Sequence, residues 1–139
     1  MIARFLFLAA IALLSGAPAL AATSILGSWL TDDHKAIVRI AQCGPHLCGR
    51  IANILDKAPN VPAVDVNNPD PGLKSRKLVG LPILIGFRDG GEAWTGGRAY
   101  DPKSGKSYRS ILKRNPDGSL KVSGCVLFIC QSRRWTPAR

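Results

Sequence analysis

Three aspartates, Asp65, Asp70 and Asp101, stand near Arg76 and Arg98 in the chain, and paired carboxylates are the residue types that glycoside chemistry uses. Each has a plainer structural role. Asp70 precedes Pro71, a helix-start pairing, because the carboxylate accepts from first-turn amides while proline needs no donor there. Asp101 with Pro102 shapes a turn, and Asp65 anchors the segment that follows it. These roles outweigh catalysis, so no catalytic residue is assigned. His34 and His46 are the residues able to act as bases near neutral pH, but each stands beside a turn, and Asp33 is the only evident orienting carboxylate.

Cysteine offers a second chemistry. The pairs Cys43-x4-Cys48 and Cys125-x4-Cys130 repeat one spacing, and four cysteines allow three connectivities. An oxidising compartment favours two local bridges, each closing a hairpin and each contributing about 2 kcal/mol because the loops are short. Four thiolates can also surround a zinc ion, but these pairs are spaced more widely than usual zinc ligands, and no redox Cys-x-x-Cys occurs. No metal or cofactor is expected.

A third chemistry is binding. Aromatic walls with one charged anchor make a small-molecule site, and the candidates are Trp29, Trp94, Tyr100 and Tyr108 with Arg76. The run Lys103-Ser104-Gly105-Lys106-Ser107 imitates the end of a phosphate loop. Tyr100 stands where the upstream glycine is required, so the run reads as a hairpin turn.

Eight strand candidates must position these residues: 26–31, 35–43, 48–55, 82–88, 92–100, 106–114, 119–126 and 130–136. Turn signals separate them, among them Gly44-Pro45-His46-Leu47, Asp89-Gly90-Gly91 and Asn115-Pro116-Asp117-Gly118. Within 92–100, alternation sets Ala93, Thr95, Gly97 and Ala99 opposite Trp94, Gly96, Arg98 and Tyr100. The small face suits a strand bent at Gly96-Gly97 or a wall leaving space inside a barrel. The pattern predicts an all-β, antiparallel, up-and-down barrel of eight strands.

One long segment lacks strand alternation: Asp65 to Gly80, containing Asn68-Pro69-Asp70. A short helix is expected from Pro71 to about Arg76, with the cations Lys74, Arg76 and Lys77 near its C-terminus. Residues 56–80 are expected to cross one end of the barrel as a lid or plug. The order Asp65, Asn68-Pro69-Asp70, Leu73, Ser75-Arg76, Leu78, Gly80, Trp94, Gly97, Tyr100-Asp101-Pro102, Gly105, Tyr108 and Trp135 resembles the bacterial domain of unknown function 2147 family. The resemblance covers roughly Ile25 to Pro137 and implies a small exported barrel of lipocalin (calycin) type. It makes Asp65, Asn68, Pro69, Asp70 and Asp101 a structural motif. Gly27-Ser28-Trp29 resembles the lipocalin opening, in which the tryptophan plugs the closed end and a late arginine lies across it; Arg133 or Arg134 is the analogous residue here.

Residues 1–21 read as a secretory signal: Arg4, an apolar run from Phe5 to Leu14, and an Ala-x-Ala pattern at Ala19-Leu20-Ala21. The run is too short to span a bilayer, which needs about 20 residues. Removal of 21 residues leaves a single domain, 22–139, periplasmic or secreted and expected to be a monomer. The full chain carries +10, so anionic partners such as an envelope surface are favoured. Export and the lack of an aromatic-basic motif argue against nucleic acid. The reading is a binding module for a small, partly apolar or anionic ligand. The alternatives are an envelope interaction protein with a filled barrel, and a hydrolase using Asp65, Asp70 or Asp101.

Overall fold

Alternating apolar and polar residues, broken by glycine and proline turns, produce eight antiparallel strands in the computed structural model, which describes residues 12–18 and 20–139. Arg4, most of the apolar run after it, and Ala19 of the cleavage pattern lie outside the described residues. The strands are β1 (Gly27–Leu30), β2 (Ala36–Cys43), β3 (His46–Ile54), β4 (Pro82–Asp89), β5 (Trp94–Asp101), β6 (Lys106–Arg114), β7 (Leu120–Val126) and β8 (Ile129–Pro137). Each pairs with the next, and β1 pairs with β8 through Trp29↔Pro137 and Leu30↔Thr136, closing the barrel. The up-and-down order divides the loops between two poles. The β1–β2, β3–β4, β5–β6 and β7–β8 connections share one, called here the tether pole. The remaining turns, the start of β1 and the end of β8 share the other.

Side chains fill the barrel. Trp29, Val38, Ile40, Leu84, Phe87, Leu112 and Leu120 are each at most 2% exposed. Two glycines make this filling possible. A Cβ added to Gly97 would stand 2.5 Å from the Phe87 ring, and one added to Gly49 would stand 2.9 Å from Leu84. The small face of β5 therefore accommodates a neighbouring strand's aromatic ring rather than leaving open space.

Strict alternation fails in β5 for a definite reason. Trp94 pairs with Leu112 and Gly97 with Ser110, so three residues of β5 advance against two of β6. Gly96, at φ +76°, absorbs the extra residue as a bulge. Trp94 consequently shares the inward side with Gly97 and Ala99 instead of standing with Arg98.

Two other expectations change. The helix from Pro71 to about Arg76 is a single 3-10 turn, Pro71–Leu73. Asp70 caps it by accepting from the Gly72 amide at 2.9 Å, but the Arg76 carbonyl accepts from the Asp65 amide at 2.9 Å, which draws the chain back before a second turn forms. The β2–β3 turn is only Gly44-Pro45, because Cys43 and His46 already pair.

Candidate functional site

The tether is organised around Asp65, which is 1% exposed. Its carboxylate accepts from Tyr100 Oη at 2.7 Å, from Asn68 Nδ2 at 2.9 Å and from an Arg76 guanidinium nitrogen at 3.4 Å. Burial alone raises a carboxyl's pKa; here the three donors outweigh it and hold Asp65 below its usual range. Tyr100 responds in the opposite sense. Burial, reinforced by the Asp65 charge, pushes its hydroxyl up to about 12. Asn68 also accepts from the Asp70 amide at 2.9 Å, so the buried motif residues brace one another.

The same segment is fastened to the tether pole. Asn67 donates to the Pro102 and Lys103 carbonyls at 3.1 and 3.0 Å. Gly105, at φ +71°, lies so close to the Asn67 carbonyl that no Cβ fits there. Lys103 reaches Asp33 in the β1–β2 loop. Burial raises the Asp33 carboxyl, but hydrogen bonds from Lys103, Thr31 and Lys35 pull it down to about 2.

The opposite pole is sealed by the entry segment. Ile25 is fully buried, and Trp29 Nε1 donates to its carbonyl at 2.9 Å. Trp94 Nε1 donates to the Thr23 carbonyl at 2.9 Å, and Arg114 donates to the Ser24 carbonyl at 3.2 Å. The cation over the Trp29 ring is Arg114, at 5.0 Å, not Arg133 or Arg134. Those two, on β8, turn to other partners: Arg133 to Asp32 at 3.7 Å and Arg134 to Asp117 at 2.6 Å. Arg114 ends β6 at the pole where Trp29 lies, which is why it wins.

The structure thus separates the five expected binding residues. Trp29 and Trp94 belong to the sealed pole, and Arg76 and Tyr100 belong to the Asp65 cluster. Tyr108 lies elsewhere, in an open groove of about 510 Å³ on the barrel wall, with Arg98, Lys106, Ser107, Arg109, Cys125, Val126 and Leu127. Sequence reading missed this groove. Its signal lies in register: Arg98 and Arg109 are direct cross-strand partners, and like charges placed directly opposite destabilise a sheet. Arg98 donates to the Ser107 carbonyl at 3.4 Å and Arg109 to the Leu127 carbonyl. Among the described residues neither is paired with a carboxylate.

The three aspartates considered for catalysis are all engaged structurally. Asp65 is satisfied as above, Asp70 caps Gly72, and Asp101 accepts from the Lys103 amide at 3.0 Å and from Ser104 Oγ at 2.9 Å. His34 and His46 are exposed. The cysteines form two local bridges, Cys43–Cys48 and Cys125–Cys130, the second between residues directly opposite in the β7–β8 ladder. Disulfides point away from the reducing cytosol. No described helix is long and apolar enough to cross a membrane.

A closed, up-and-down, eight-stranded antiparallel barrel with a buried Trp on its first strand defines the lipocalin type of architecture. Among solved structures it is similar to protein HP1028 from the human pathogen Helicobacter pylori, described as belonging to the lipocalin family. The TM-score is 0.73, with 19% identity over 84% of each chain. The chain belongs to the family of uncharacterized proteins conserved in bacteria called domain of unknown function 2147 (DUF2147), whose model matches residues 27–137. No curated protein matches the sequence.

Proposed function

We propose that the protein is a non-catalytic binding module of the bacterial envelope. Its ligand site is the outer groove beside Arg98 and Arg109 rather than the lumen, and its ligand is a small anion with an apolar portion. The observation that carries this reading is the Arg98–Arg109 cross-strand pair, two arginines opposed on one rung, neither paired with a carboxylate among the described residues. An anion bridging the pair relieves their repulsion, while Val126 and Leu127 supply apolar wall. The lipocalin-type neighbour and the two disulfides support a ligand-binding barrel outside the cytoplasm. Export by cleavage before Ala22 fits the geometry at the sealed pole, where the Ala22 nitrogen donates to Asp89 Oδ1 at 2.9 Å. A freed α-amino group there would gain a carboxylate partner.

Native mass spectrometry of protein purified from the envelope, followed by titration with decanoate, tests the reading. The expected outcome is a chain beginning at Ala22 that binds decanoate and loses about tenfold in affinity when Arg98→Gln removes one charge-assisted hydrogen bond. Trp94→Ala, at the sealed pole, should leave that affinity unchanged. Equal decanoate binding by wild type and Arg98→Gln would remove the groove from consideration. A second reading, an interaction protein that acts only through its surface, is favoured by the filled lumen.

A further inference from the structure

The β7–β8 turn breaks the rule that turns are built from glycine, asparagine or other polar residues. Its four residues are Val126, Leu127, Phe128 and Ile129, exposed to 61%, 79%, 88% and 66%. Val126 and Ile129 pair directly, so Leu127 and Phe128 form a two-residue hairpin loop. Leu127 sits at φ +54°, a left-handed conformation that is unfavourable for an L-residue without a short polar side chain. Glycine at this first central position would satisfy such a loop far better. The chain instead holds two large, mostly exposed apolar side chains at the tip, Leu127 in a backbone conformation that disfavours it.

The support beneath this tip is rigid. Cys125 and Cys130 are joined at its base, and Arg109 donates to the Leu127 carbonyl from the adjacent strand. Residues 129–134 of β8 are all exposed, because β1 is short and pairs only with the far end of β8. The four tip residues lie past the last β6–β7 rung, Arg109↔Cys125, with the β8 side of the hairpin open to solvent. Cations ring it on the groove side: Arg98, Lys106 and Arg109 line the same wall as Val126 and Leu127. The nearest acid by register, Asp101 opposite Lys106, is occupied by the Lys103 amide and Ser104.

We propose that Val126–Ile129 is a membrane-docking finger whose apolar tip enters the surface of an anionic phospholipid bilayer while Arg98, Lys106 and Arg109 meet the lipid phosphates. Apolar tip and basic collar are the two components that together anchor a protein at a membrane surface: area buried in the acyl boundary, and attraction to anionic headgroups. A bilayer is the occupant that matches both, since its phosphates lie directly above the apolar layer just as Arg98 and Arg109 lie at the base of the tip, on the rung of Cys125. The proposal does not depend on the groove holding a soluble ligand.

Cosedimentation of the disulfide-intact protein with vesicles of equal parts phosphatidylglycerol and phosphatidylcholine, and with phosphatidylcholine alone, tests it. The decisive variant is Leu127→Gly with Phe128→Asn, which puts glycine at the positive-φ position of this turn and so leaves folding intact or improved. Wild type should bind the anionic vesicles in a salt-sensitive manner and the neutral ones weakly. The double variant should partition about a hundredfold less, roughly tenfold for each large apolar side chain withheld from the bilayer. Lys106→Gln should weaken binding to the anionic vesicles only. Absence of vesicle binding by wild type, equal binding by the double variant, or indifference to lipid charge would each overturn the proposal. So would self-association in sedimentation velocity that the double variant abolishes, because the tip would then be a protein contact. Decanoate affinity reads the groove separately, so failure of one site is distinguishable from failure of the other.

Discussion

Tyr100 on β5 donates its hydroxyl to the buried carboxylate of Asp65, 35 residues earlier in the chain, at 2.7 Å. This bond ties the long β3–β4 connection to the barrel wall and is the shortest of the three that the carboxylate accepts.

Removing it should cost more than removing the ion pair beside it. Tyr100→Phe leaves a buried carboxylate short of a donor, and a hydrogen bond to a charged group contributes about 1.5–3 kcal/mol. Arg76 stands farther off at 3.4 Å, and its side chain is 41% exposed, so Arg76→Gln should cost about 1 kcal/mol or less. Urea unfolding of both variants checks the order; an equal or reversed order would show that Asp65 is held chiefly by charge.

An alkaline titration reads the same bond from the phenol side. Tyr100 is held up to about 12, above its unfolded range, so the stability it contributes is present below about pH 10 and is lost as pH rises through 12. Ultraviolet absorbance of the phenolate should show a late step near pH 12 that is absent from Tyr100→Phe. A wild-type titration complete by pH 11 would contradict the buried bond.

Acid should loosen the tether pole. Asp65 and Asp33 both titrate lower in the folded chain than unfolded, Asp33 at about 2, so their stabilisation is fully present above about pH 4 and drains away as pH falls below it, for Asp33 through about 2. Chemical-denaturation midpoints should decline over that interval, less steeply in Lys103→Gln, which deprives Asp33 of its cation. Midpoints unchanged between pH 5 and pH 2 would refute the assignment.

Phe87 and Gly97 are complementary in shape, and their variants should be coupled. Phe87→Ala opens a cavity at a cost of about 3–5 kcal/mol, and Gly97→Ala drives a Cβ into the ring at a cost of about 1–3 kcal/mol. The double variant should be more stable than the sum of the two losses implies, as thermal or urea unfolding of all four proteins will show. Simple additivity would mean that the ring and the glycine are not in contact.

The contrast between what residue patterns reveal and what they hide is clear at individual sites. The eight strands were legible because period-two alternation and Gly, Pro, Asn and Asp turns mark each run locally. The disulfides were legible because each pair spans one hairpin. Asp65 was recognised as an anchor, but its partner was not, since nothing local links residue 65 to residue 100. A bend at Gly96-Gly97 was legible in the paired glycines, but strict alternation hid the inward position of Trp94 that the bulge produces. Arg133 and Arg134 were chosen over Trp29 by analogy of chain position, whereas the end of β6, where Arg114 lies, is what approaches the ring. The groove and finger were hidden for a similar reason. Arg98, Arg109 and Leu127 become neighbours only through sheet register, although four consecutive apolar residues in a turn were an available signal.

The two chain ends of the barrel meet at the sealed pole, where the Ala138 amide donates to the Ser28 carbonyl at 2.9 Å, while the β7–β8 turn lies at the other pole. This polarity sets the chain ends and the apolar turn at opposite poles of the barrel. Anything fused before β1 or after β8 is carried at the face remote from the finger, so a tagged or surface-immobilised protein presents its apolar tip outward, and a cargo joined to either terminus is held a full barrel height away from whatever the tip grips.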